Sequence, residues 1–356
     1  MSQHFCKLYG TSAQITTDYT PYTKYLNMLL SNVAIGSSGT NDVQIDVSAQ
    51  WHQEWWGKNK LPIYSNELNA QVGSRFFMNK GRVRWYKKLG SRRLLMDMRF
   101  DEEKKFLSVS SLFQKKEPRD SLRYKFTGKC EESAFFELTY YLVYFPLFWY
   151  LEAYKNVHPL HASAVQLGDR SFVFAGFEGV GKTTLALALV EYAKAKLLSD
   201  NLVLYGNNAI TACPEALRIY RKSKLRLAQS QIKLINHFHA DKDFYAIQSQ
   251  ETNPLPLGAI FIPRFSSDSG LKPISPQECT DTLLNINEMT GEMQHYSDFF
   301  SAASIMLPKE GLRETRRRDL LKILENTNCY FLDIDKSQSL KGQLENVVEL
   351  CAKVRV

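Results

Sequence analysis

The chain has 356 residues, of which 44% are hydrophobic, so it can bury a core without disulfides or metals. This length predicts one large domain or two domains of ordinary size. The net charge of +8 is modest beside 37 acidic residues, which argues against nucleic-acid binding on charge alone and suits an anionic ligand such as a nucleotide.

The cysteines are spread along the chain, and no C-x-x-C pair occurs. This spacing argues against a zinc site and a disulfide framework, and it predicts buried, reduced thiols. Residues 1–20 are polar and show no signal peptide, so we expect a cytoplasmic protein. The cysteines are Cys6, Cys130, Cys213, Cys279, Cys329 and Cys351.

The first 150 residues mix helical and strand-like patterns. The predicted elements are a helix at 21–31, strands at 43–47, 94–100 and 106–113, and a hairpin at 74–86 that turns at 79–81. Trp51, Trp55 and Trp56 are interpreted as core or packing positions. We expect residues 1–150 to form a smaller α+β domain, with acceptor recognition as its candidate role.

Residues 135–150, FFELTYYLVYFPLFWY, form the most hydrophobic stretch. They include Glu137 and Pro146, and the stretch is shorter than the roughly 20 apolar residues that a membrane-spanning helix needs. We therefore favour a buried core helix, or a helix followed by a strand, over membrane contact, and we expect no membrane insertion.

After residue 155 strands alternate with helices, which is typical of an α/β layered domain. Residues 171–175, SFVFA, form a short apolar run, as in a strand buried on both faces. Further strands are predicted at 197–198, 202–205, 259–262 and 330–334, and helices at 183–194 and 313–325. Residues 151–356 are therefore predicted to form an α/β nucleotide-binding catalytic domain.

The sequence GFEGVGKT at residues 176–183 matches the P-loop pattern G-x-x-x-x-G-K-[ST] and lies between a predicted strand and a predicted helix. The glycines permit backbone angles and a close approach to phosphate that side chains would prevent. Backbone N–H groups and the helix N-terminus then favour an anion. The predicted nucleotide-binding residues are Gly176, Glu178, Gly179, Val180, Gly181, Lys182, Thr183 and Thr184.

Three side chains of this motif have individual roles. Lys182 suits the β- and γ-phosphates of a nucleoside triphosphate, and Thr183 supplies a hydroxyl that ligates Mg²⁺. Thr184 is either a second hydroxyl near the phosphates or a surface residue of the helix. These roles predict ATP and Mg²⁺ as cofactors.

A short apolar run ends in Asp200. The preceding helix returns the chain to the sheet, so Asp200 is expected at the carboxyl end of a neighbouring strand, beside the P-loop. There it would hold Mg²⁺, directly or through water, or accept the proton of an attacking hydroxyl. The alternative is a turn aspartate, because Asp200 and Asn201 both favour turns.

The segment HPLHASAV starts at His158, and residues 168–170 predict a hairpin turn before the P-loop strand. His161 is therefore expected on a strand next to the P-loop strand, where it would pair with Asp200 or contact phosphate. A lone histidine is also often structural, and that interpretation stays open. The predicted catalytic residues are Asp200, His161 and Lys182, and the predicted metal ligands are Thr183 and Asp200.

Residues 159–206 resemble the catalytic core of HPr kinase/phosphorylase and its relatives: a histidine strand, a turn, the P-loop strand, a helix and an apolar strand ending in aspartate. The resemblance is weaker through residue 334, and residues 1–150 look more like the variable domain of the relatives. It implies a P-loop kinase core similar to the nucleotide-binding half of phosphoenolpyruvate carboxykinase. It also implies that His161 is the active-site histidine and that Asp200 activates the acceptor serine.

Three departures from the family pattern are visible. The paired aspartates are replaced by Asp200-Asn201, and Thr183-Thr184 stands where serine followed by glutamate is usual. No Glu-x-Arg-Gly segment follows, and residues 216–227 read ALRIYRKSKLRL in that region. These departures argue against HPr itself as the substrate and leave reverse phosphorolysis open.

Several basic residues have two interpretations. The favoured one for Arg264 and the set at 216–227 is a solvated surface, and the alternative is contact with phosphate or with an acidic acceptor. Residues 316–318 are expected on an exposed helix face. The set is Arg218, Arg221, Lys222, Lys224 and Arg226.

Together these features predict an ATP- and Mg²⁺-dependent kinase acting on a serine-like hydroxyl of a peptide, a protein or a small metabolite. The alternative is a nucleotide-binding regulator or slow NTPase that controls a partner protein, which Asn201 and the missing downstream acid would suit. No helicase-like motif set occurs, so no nucleic-acid partner is expected. The sequence leaves open whether the chain forms a homo-oligomer.

Overall fold

A computed structural model describes residues 1–34, 43–52, 70–72, 76–79, 81–89, 92–114, 133–221, 231–237, 242–248, 253–308 and 311–354. Within them the chain is a mixed α/β protein with several sheets, and the largest two are mixed. It divides into two compact units. The predicted domains 1–150 and 151–356 stay a prediction, because compactness alone does not show which parts fold independently.

The first unit comprises Met1–Ala153, Ile235–Asp243 and Tyr296–Glu310. Its sheet has the order β1-β2-β3-β8-β7-β6-β5-β4, in which β3 is parallel to β2 and β8 and the other neighbours are antiparallel. These strands are β1 (Ser2–Leu8), β2 (Thr11–Thr17), β3 (Ile45–His52), β4 (Ala70–Val72), β5 (Phe76–Asn79), β6 (Arg82–Leu89), β7 (Arg92–Asp101) and β8 (Phe106–Gln114).

The elements predicted in this unit are confirmed where the structure describes them. Helix α1 (Thr20–Leu29) buries one apolar face, and β5 and β6 form the predicted hairpin. Its turn needs Gly81, because φ is +69° there and a Cβ atom would lie 3.2 Å from the Phe100 carbonyl oxygen. Trp51 is buried, as predicted. Trp55 and Trp56 lie outside the described residues.

The apolar stretch at 135–150 forms helix, so the buried-helix interpretation is confirmed and the strand alternative is wrong. Helix α2 (Ser133–Thr139) continues through a π-helical turn (Tyr140–Tyr144) into α3 (Phe145–Tyr154). The wider turn precedes Pro146, which lacks the N–H of a regular helix turn. The side chains from 138 to 153 are buried, as expected for a helix that is apolar all round. No helix among the described residues is long and apolar enough to cross a membrane.

The second unit comprises Tyr154–Leu234, Phe244–His295 and Gly311–Val356. Its six-stranded sheet has the order β12-β10-β11-β18-β20-β19, and a smaller sheet has the order β14-β13-β9. The strands are β9 (His158–Leu160), β10 (Ala162–Leu167), β11 (Arg170–Ala175), β12 (Lys196–Ser199), β13 (Val203–Gly206), β14 (Ala209–Ala212), β15 (Leu217–Tyr220), β18 (Leu257–Ser266), β19 (Gly270–Pro273) and β20 (Asn328–Asp335).

The remaining elements are helices, and two strands that form a three-stranded sheet with β15 in the order β15-β17-β16. The unit boundaries fall within three of them: β16, β17 and α6. They are β16 (Ile232–His237), β17 (Lys242–Ile247), α4 (Lys182–Tyr192), α5 (Pro276–Met289), α6 (Gly291–Ala303), α7 (Leu312–Leu324) and α8 (Leu340–Lys353).

Helices cover both faces of the six-stranded sheet. Alternate residues of β11 point to opposite sides: Phe172 and Phe174 pack with α4 and α8, and Val173 and Ala175 pack with α5 and α7. The strand predicted at 171–175 is therefore buried on both faces, as its apolar run indicated.

The strand directions bring two loops to one edge of this sheet. β10 is antiparallel to both β11 and β12, so β11 and β12 run in the same direction. Their carboxyl ends, Ala175 and Ser199, therefore lie at the same edge, with β10 between them. The candidate site is built where these two strands end.

Candidate functional site

The loop at 176–181 connects β11 to α4, and its glycines give it its shape. Gly179 and Gly181 have φ of +84° and +91°, values that favour glycine over any other residue. Gly176 is buried, and a Cβ atom there would lie 3.1 Å from Val180 Cγ2. Phe177 at the outer part of the loop is 48% exposed. The loop therefore presents its outer backbone to solvent.

Helix α4 begins at Lys182 without a side-chain cap. Gly181 is the N-cap residue, and it has no side chain that could accept a hydrogen bond from the first turn. The first N–H groups of a helix have no partner within the helix, and the helix dipole adds positive potential at this end. These N–H groups are therefore available to an anion seated in the loop.

The ammonium group of Lys182 lies inside the loop. Its Nζ donates hydrogen bonds to the carbonyl oxygens of Gly176 at 2.8 Å and Phe177 at 3.0 Å. Burial lowers the pKa of Lys182 to about 8, against the opposing effects of Asp200 and Glu292. Lys182 thus holds a positive charge at the centre of the loop at neutral pH.

Asp200 follows β12 directly and is 3% exposed. Its Oδ1 atom accepts hydrogen bonds from Thr183 Oγ1 at 2.7 Å and from Ser163 Oγ at 2.5 Å. Its Oδ2 atom accepts no hydrogen bond from any residue that the structure describes. The sheet therefore places Asp200 beside the first turn of α4, at the edge that the sequence predicted, with one carboxylate oxygen free of protein donors.

His161 lies between β9 and β10, directly before the Ala162–Ala175 pair, so the prediction that it is part of a strand is wrong by one residue. Its backbone N–H donates to Asn287 Oδ1 at 2.8 Å. The ring is 5% exposed, and Nδ1 has no partner among the described residues. Burial, together with the charge of Lys182, lowers the pKa of His161 to about 4.

His161 makes no hydrogen bond to Asp200, so the predicted pair of these two residues is not formed. Hydroxyl groups occupy Oδ1 of Asp200 instead. The imidazole lies near Lys182, Glu292 and Arg218, whose charges all act on its pKa. His161 is therefore a neutral ring near the loop, and its Nδ1 atom has no hydrogen-bond partner among the described residues.

A second layer of polar residues holds the turn after Asp200. Asn201 has a φ of +70°, donates to Glu215 Oε1 at 2.9 Å, and accepts from Arg218 at 2.8 Å. Arg218 also pairs with Glu292 at 3.1 Å. Arg218 and Glu215 therefore anchor Asn201, and the solvated-surface interpretation is wrong for Arg218. Arg221 is exposed, and the remaining basic residues of the 216–227 set lie outside the described residues.

The other predicted basic residues have carboxylate partners. Arg264 binds Asp333, and the guanidinium of Arg264 lies over the Phe331 ring. Asp333 also pairs with Lys272 at 3.0 Å. On α7, Arg317 pairs with Asp281, and both Arg317 and Arg318 are exposed, as predicted. None of these contacts points to a phosphate ligand.

Sequence reasoning missed Ser163, Asn287 and Glu292. Ser163 is flanked by Ala162 and Ala164 in a buried strand, and a lone hydroxyl in that setting is a usable signal. Asn287 and Glu292 reach the site from α5 and α6, far along the chain, and no local pattern marks them.

The protein ligands available for a metal ion are few. Among the described residues no group of three or more His, Cys, Asp or Glu could hold a metal. A Mg²⁺ ion bound with a nucleotide needs fewer, because water and phosphate oxygens complete its octahedron. Thr183 and Asp200 supply two hard oxygen ligands side by side, so these residues fit such an ion.

The predicted buried thiols are confirmed for the described cysteines, which are free: Cys6, Cys213, Cys279, Cys329 and Cys351. Comparison of the chain with models of protein families and with curated proteins found no match.

Proposed function

We propose that this chain is a kinase that uses ATP and Mg²⁺ to phosphorylate a serine-like hydroxyl of a peptide, a protein or a small metabolite. One observation carries the proposal: Asp200 Oδ1 lies 2.7 Å from Thr183 Oγ1, at the start of the helix that follows the glycine-rich loop. A hydroxyl and an acid at this position are the pair through which P-loop proteins hold nucleotide-bound Mg²⁺.

The loop at 176–181 supports the nucleotide part of the proposal. It combines two left-handed glycines, an uncapped helix start and a central lysine. On binding, Lys182 Nζ exchanges two carbonyl partners for phosphate oxygens, and such charge-assisted hydrogen bonds are roughly twice as strong as neutral ones. The backbone N–H groups of the loop and of α4 then surround the phosphates.

Thr183 and Asp200 are the residues that would hold Mg²⁺. When bound, the ion neutralises charge on the β- and γ-phosphates. Thr183 can turn its hydroxyl oxygen toward the ion, because its present partner is only the neighbouring carboxylate. The hydrogen-bond donors of Asp200 among the described residues are neutral hydroxyls, so no ion pair would compete with Mg²⁺ for the carboxylate.

Asp200 is also the candidate general base. The acceptor oxygen forms a bond to the γ-phosphorus while the bond from that phosphorus to the β–γ bridging oxygen breaks, and ADP leaves. The proton of the acceptor hydroxyl passes to Oδ2 of Asp200, which has no protein donor among the described residues. Neutral His161, with Nδ1 open, would support the phosphate or the acceptor at the border of the loop.

The proposal includes membership of the HPr-kinase-like kinases, with a nucleotide-binding fold similar to that of phosphoenolpyruvate carboxykinase. It is supported by the order of elements in this chain: a histidine, a hairpin, the loop strand, a helix and an aspartate at the same sheet edge. HPr is not proposed as the acceptor, because the Glu-x-Arg-Gly segment is missing.

The test is transfer of label from [γ-³²P]ATP with Mg²⁺ to cell lysate of the source, separated into protein and small-molecule fractions. Asp200→Asn is the inactive variant, and Asp169→Asn, in the exposed hairpin turn, is the matched control. We expect a discrete labelled acceptor with the wild type and the control, and none with Asp200→Asn. Equal labelling by Asp200→Asn would contradict the proposed role of this carboxylate.

A second candidate is a nucleotide-binding regulator or slow NTPase. It is favoured by Asn201, which follows Asp200 where the family has a second aspartate and is held by Glu215 and Arg218. With one carboxylate instead of two, the site has less charge for metal binding and proton transfer. Tight ATP binding without a labelled acceptor, and partner binding that persists in Asp200→Asn, would favour this candidate over the kinase.

A further inference from the structure

We propose that Ser163 is a positioning residue for Asp200, a role that depends on the proposed function of the site. Its hydroxyl donates to Asp200 Oδ1 at 2.5 Å, and the side chain is fully buried. No other hydrogen bond of this hydroxyl to a described residue occurs. Ser163 acts on the reaction through Asp200 and contacts neither nucleotide nor acceptor.

The sheet explains how Ser163 reaches Asp200. Ser163 lies on β10, the strand between β11, which ends at the glycine-rich loop, and β12, which ends at Asp200. Ala162 pairs with Ala175, the last residue of β11, and Ala164 pairs with Ser199, the last residue of β12. Ser163 therefore lies between the two strand ends from which the glycine-rich loop and Asp200 follow. Its position is set by two strand pairings, which makes it a rigid support for the carboxylate.

The chemistry of the donor matters as much as its position. A lysine or arginine hydrogen-bonded to Asp200 would occupy the carboxylate oxygens that a metal ion or an acceptor hydroxyl must reach. Lys182 donates instead to the carbonyl oxygens of Gly176 and Phe177, and a neutral hydroxyl orients the carboxylate without forming an ion pair. Because Ser163 and Thr183 both bind Oδ1, the other oxygen is left for the acceptor.

The two hydroxyls differ in what happens when nucleotide binds. Thr183 is half-buried in the first turn of α4, and its oxygen is the one that would turn to Mg²⁺. Ser163 is buried behind the carboxylate and has no such second use. Ser163 would therefore be the donor that still orients Asp200 during phosphoryl transfer.

The first test compares basal hydrolysis of [γ-³²P]ATP, with water as the acceptor, by full-length wild type, Ser163→Ala, Ser163→Thr and Ser171→Ala. Ser171 is a buried serine on the neighbouring strand whose hydroxyl donates to the Pro256 carbonyl, so its variant controls for loss of a buried hydroxyl. Thermal unfolding verifies that each variant is folded, and Ser163→Cys, which matches serine more closely in size, replaces Ser163→Thr if the extra methyl group is not accommodated.

We expect Ser163→Ala to lower kcat about 10- to 100-fold with the KM for Mg·ATP changed less than about threefold, because positioning affects the transition state more than ground-state binding. Ser163→Thr should recover most of kcat, and Ser171→Ala should match the wild type. A kcat for Ser163→Ala within twofold of the wild type would overturn the proposal. So would an equal loss in Ser171→Ala.

The second test does not depend on turnover. Binding of Mn²⁺ in the presence of a non-hydrolysable ATP analogue is followed by electron paramagnetic resonance. We expect Ser163→Ala to bind Mn²⁺ about three- to tenfold more weakly than the wild type, and Ser171→Ala to bind equally. Unchanged affinity in Ser163→Ala would overturn the role of Ser163 alone, whereas a wild type that neither binds nor hydrolyses the nucleotide would defeat the proposed function and this role together.

Discussion

Two carboxylates, one in each compact unit, show two ways of using an aspartate: Asp97 is partly buried, and Asp200 is buried. Asp97 in the first unit accepts from Arg82 at 2.7 Å and 2.8 Å and from Arg84 at 2.6 Å and 3.0 Å. Asp200 in the second unit accepts from two neutral hydroxyls, both at one oxygen.

The partners determine what each carboxylate can do. Burial would raise the pKa of Asp97, but the hydrogen bonds and charges of Arg82 and Arg84 outweigh it and hold the pKa below its ordinary value. Its charge is thereby neutralised within the sheet, and the group is structural. Asp200 is oriented by neutral hydroxyls, and no cationic side chain among the described residues forms a direct ion pair with it, which leaves its carboxylate accessible to a metal ion or an acceptor hydroxyl. The donor type, more than burial, separates the two roles.

The largest expected effect is loss of turnover in Asp200→Asn. Removing a general base typically lowers kcat about 10²- to 10⁴-fold. We expect the affinity for ATP without metal to change little and the free energy of unfolding to stay within about 1 kcal/mol of the wild type, because the hydroxyl donors can bind the amide oxygen. Steady-state kinetics measure turnover, and denaturant unfolding measures the free energy of unfolding. A stable variant with full turnover would remove Asp200 from the mechanism.

Asp97→Asn should give the opposite result. Two arginines would lose their common carboxylate. Breaking a buried charge pair costs about 3–5 kcal/mol of unfolding free energy, and because Asp97 is only partly buried we expect a loss near the lower end of that range. ATP affinity, measured by calorimetry on the folded variant, should equal that of the wild type. If stability is unchanged, the charge network of the first unit contributes less than its geometry indicates.

His161 provides a pH test of the second unit. Its pKa is about 4 in the folded chain, against 6.5 ordinarily. Between these values the unfolded chain binds more protons, so His161 destabilises the fold as the pH falls. From pH 7 to pH 4 the wild type should lose up to about 3 kcal/mol of unfolding free energy more than His161→Gln does.

That comparison uses denaturant unfolding of both proteins at several pH values. Parallel stability curves for the wild type and His161→Gln would mean that the imidazole becomes protonated in the folded chain. A charged His161 would then be available to bind phosphate directly, in place of the neutral ring inferred here.

The smallest expected effect is on Mg·ATP affinity, and it distinguishes the two threonines that follow Lys182. The Thr183 hydroxyl binds Asp200, whereas the Thr184 hydroxyl has no partner among the described residues. Thr184→Ala should therefore change Mg·ATP affinity by less than about 0.5 kcal/mol, as for a surface substitution. Thr183→Ala should weaken it about tenfold or more, because a metal ligand is lost. Calorimetry with Mg·ATP distinguishes the two, and equal losses would give Thr184 a phosphate contact.

Local patterns predicted much of this protein. The apolar run at 171–175 required a strand buried on both faces, and the residues after it predicted a loop and then a helix. The same logic placed Asp200 at the carboxyl end of a strand beside the P-loop, which is confirmed, although that strand is separated from β11 by β10 and is not its neighbour as predicted. These predictions succeeded because residue period, glycine conformation and helix length are properties of short segments.

The partners of the site depended on the tertiary structure. Sequence reasoning gave His161 either Asp200 or a phosphate as its partner and favoured a solvated Arg218, yet two hydroxyls bind Asp200 and Arg218 pairs with Glu292. These contacts join strands and helices that are distant along the chain, and strand order and register decide which side chains meet. The sequence by itself therefore determined the glycine-rich loop, its lysine and threonine, and the aspartate at the end of a strand. Only the packed sheet decided which further side chains join them and which pairs share a hydrogen bond or a charge, because those contacts join distant segments.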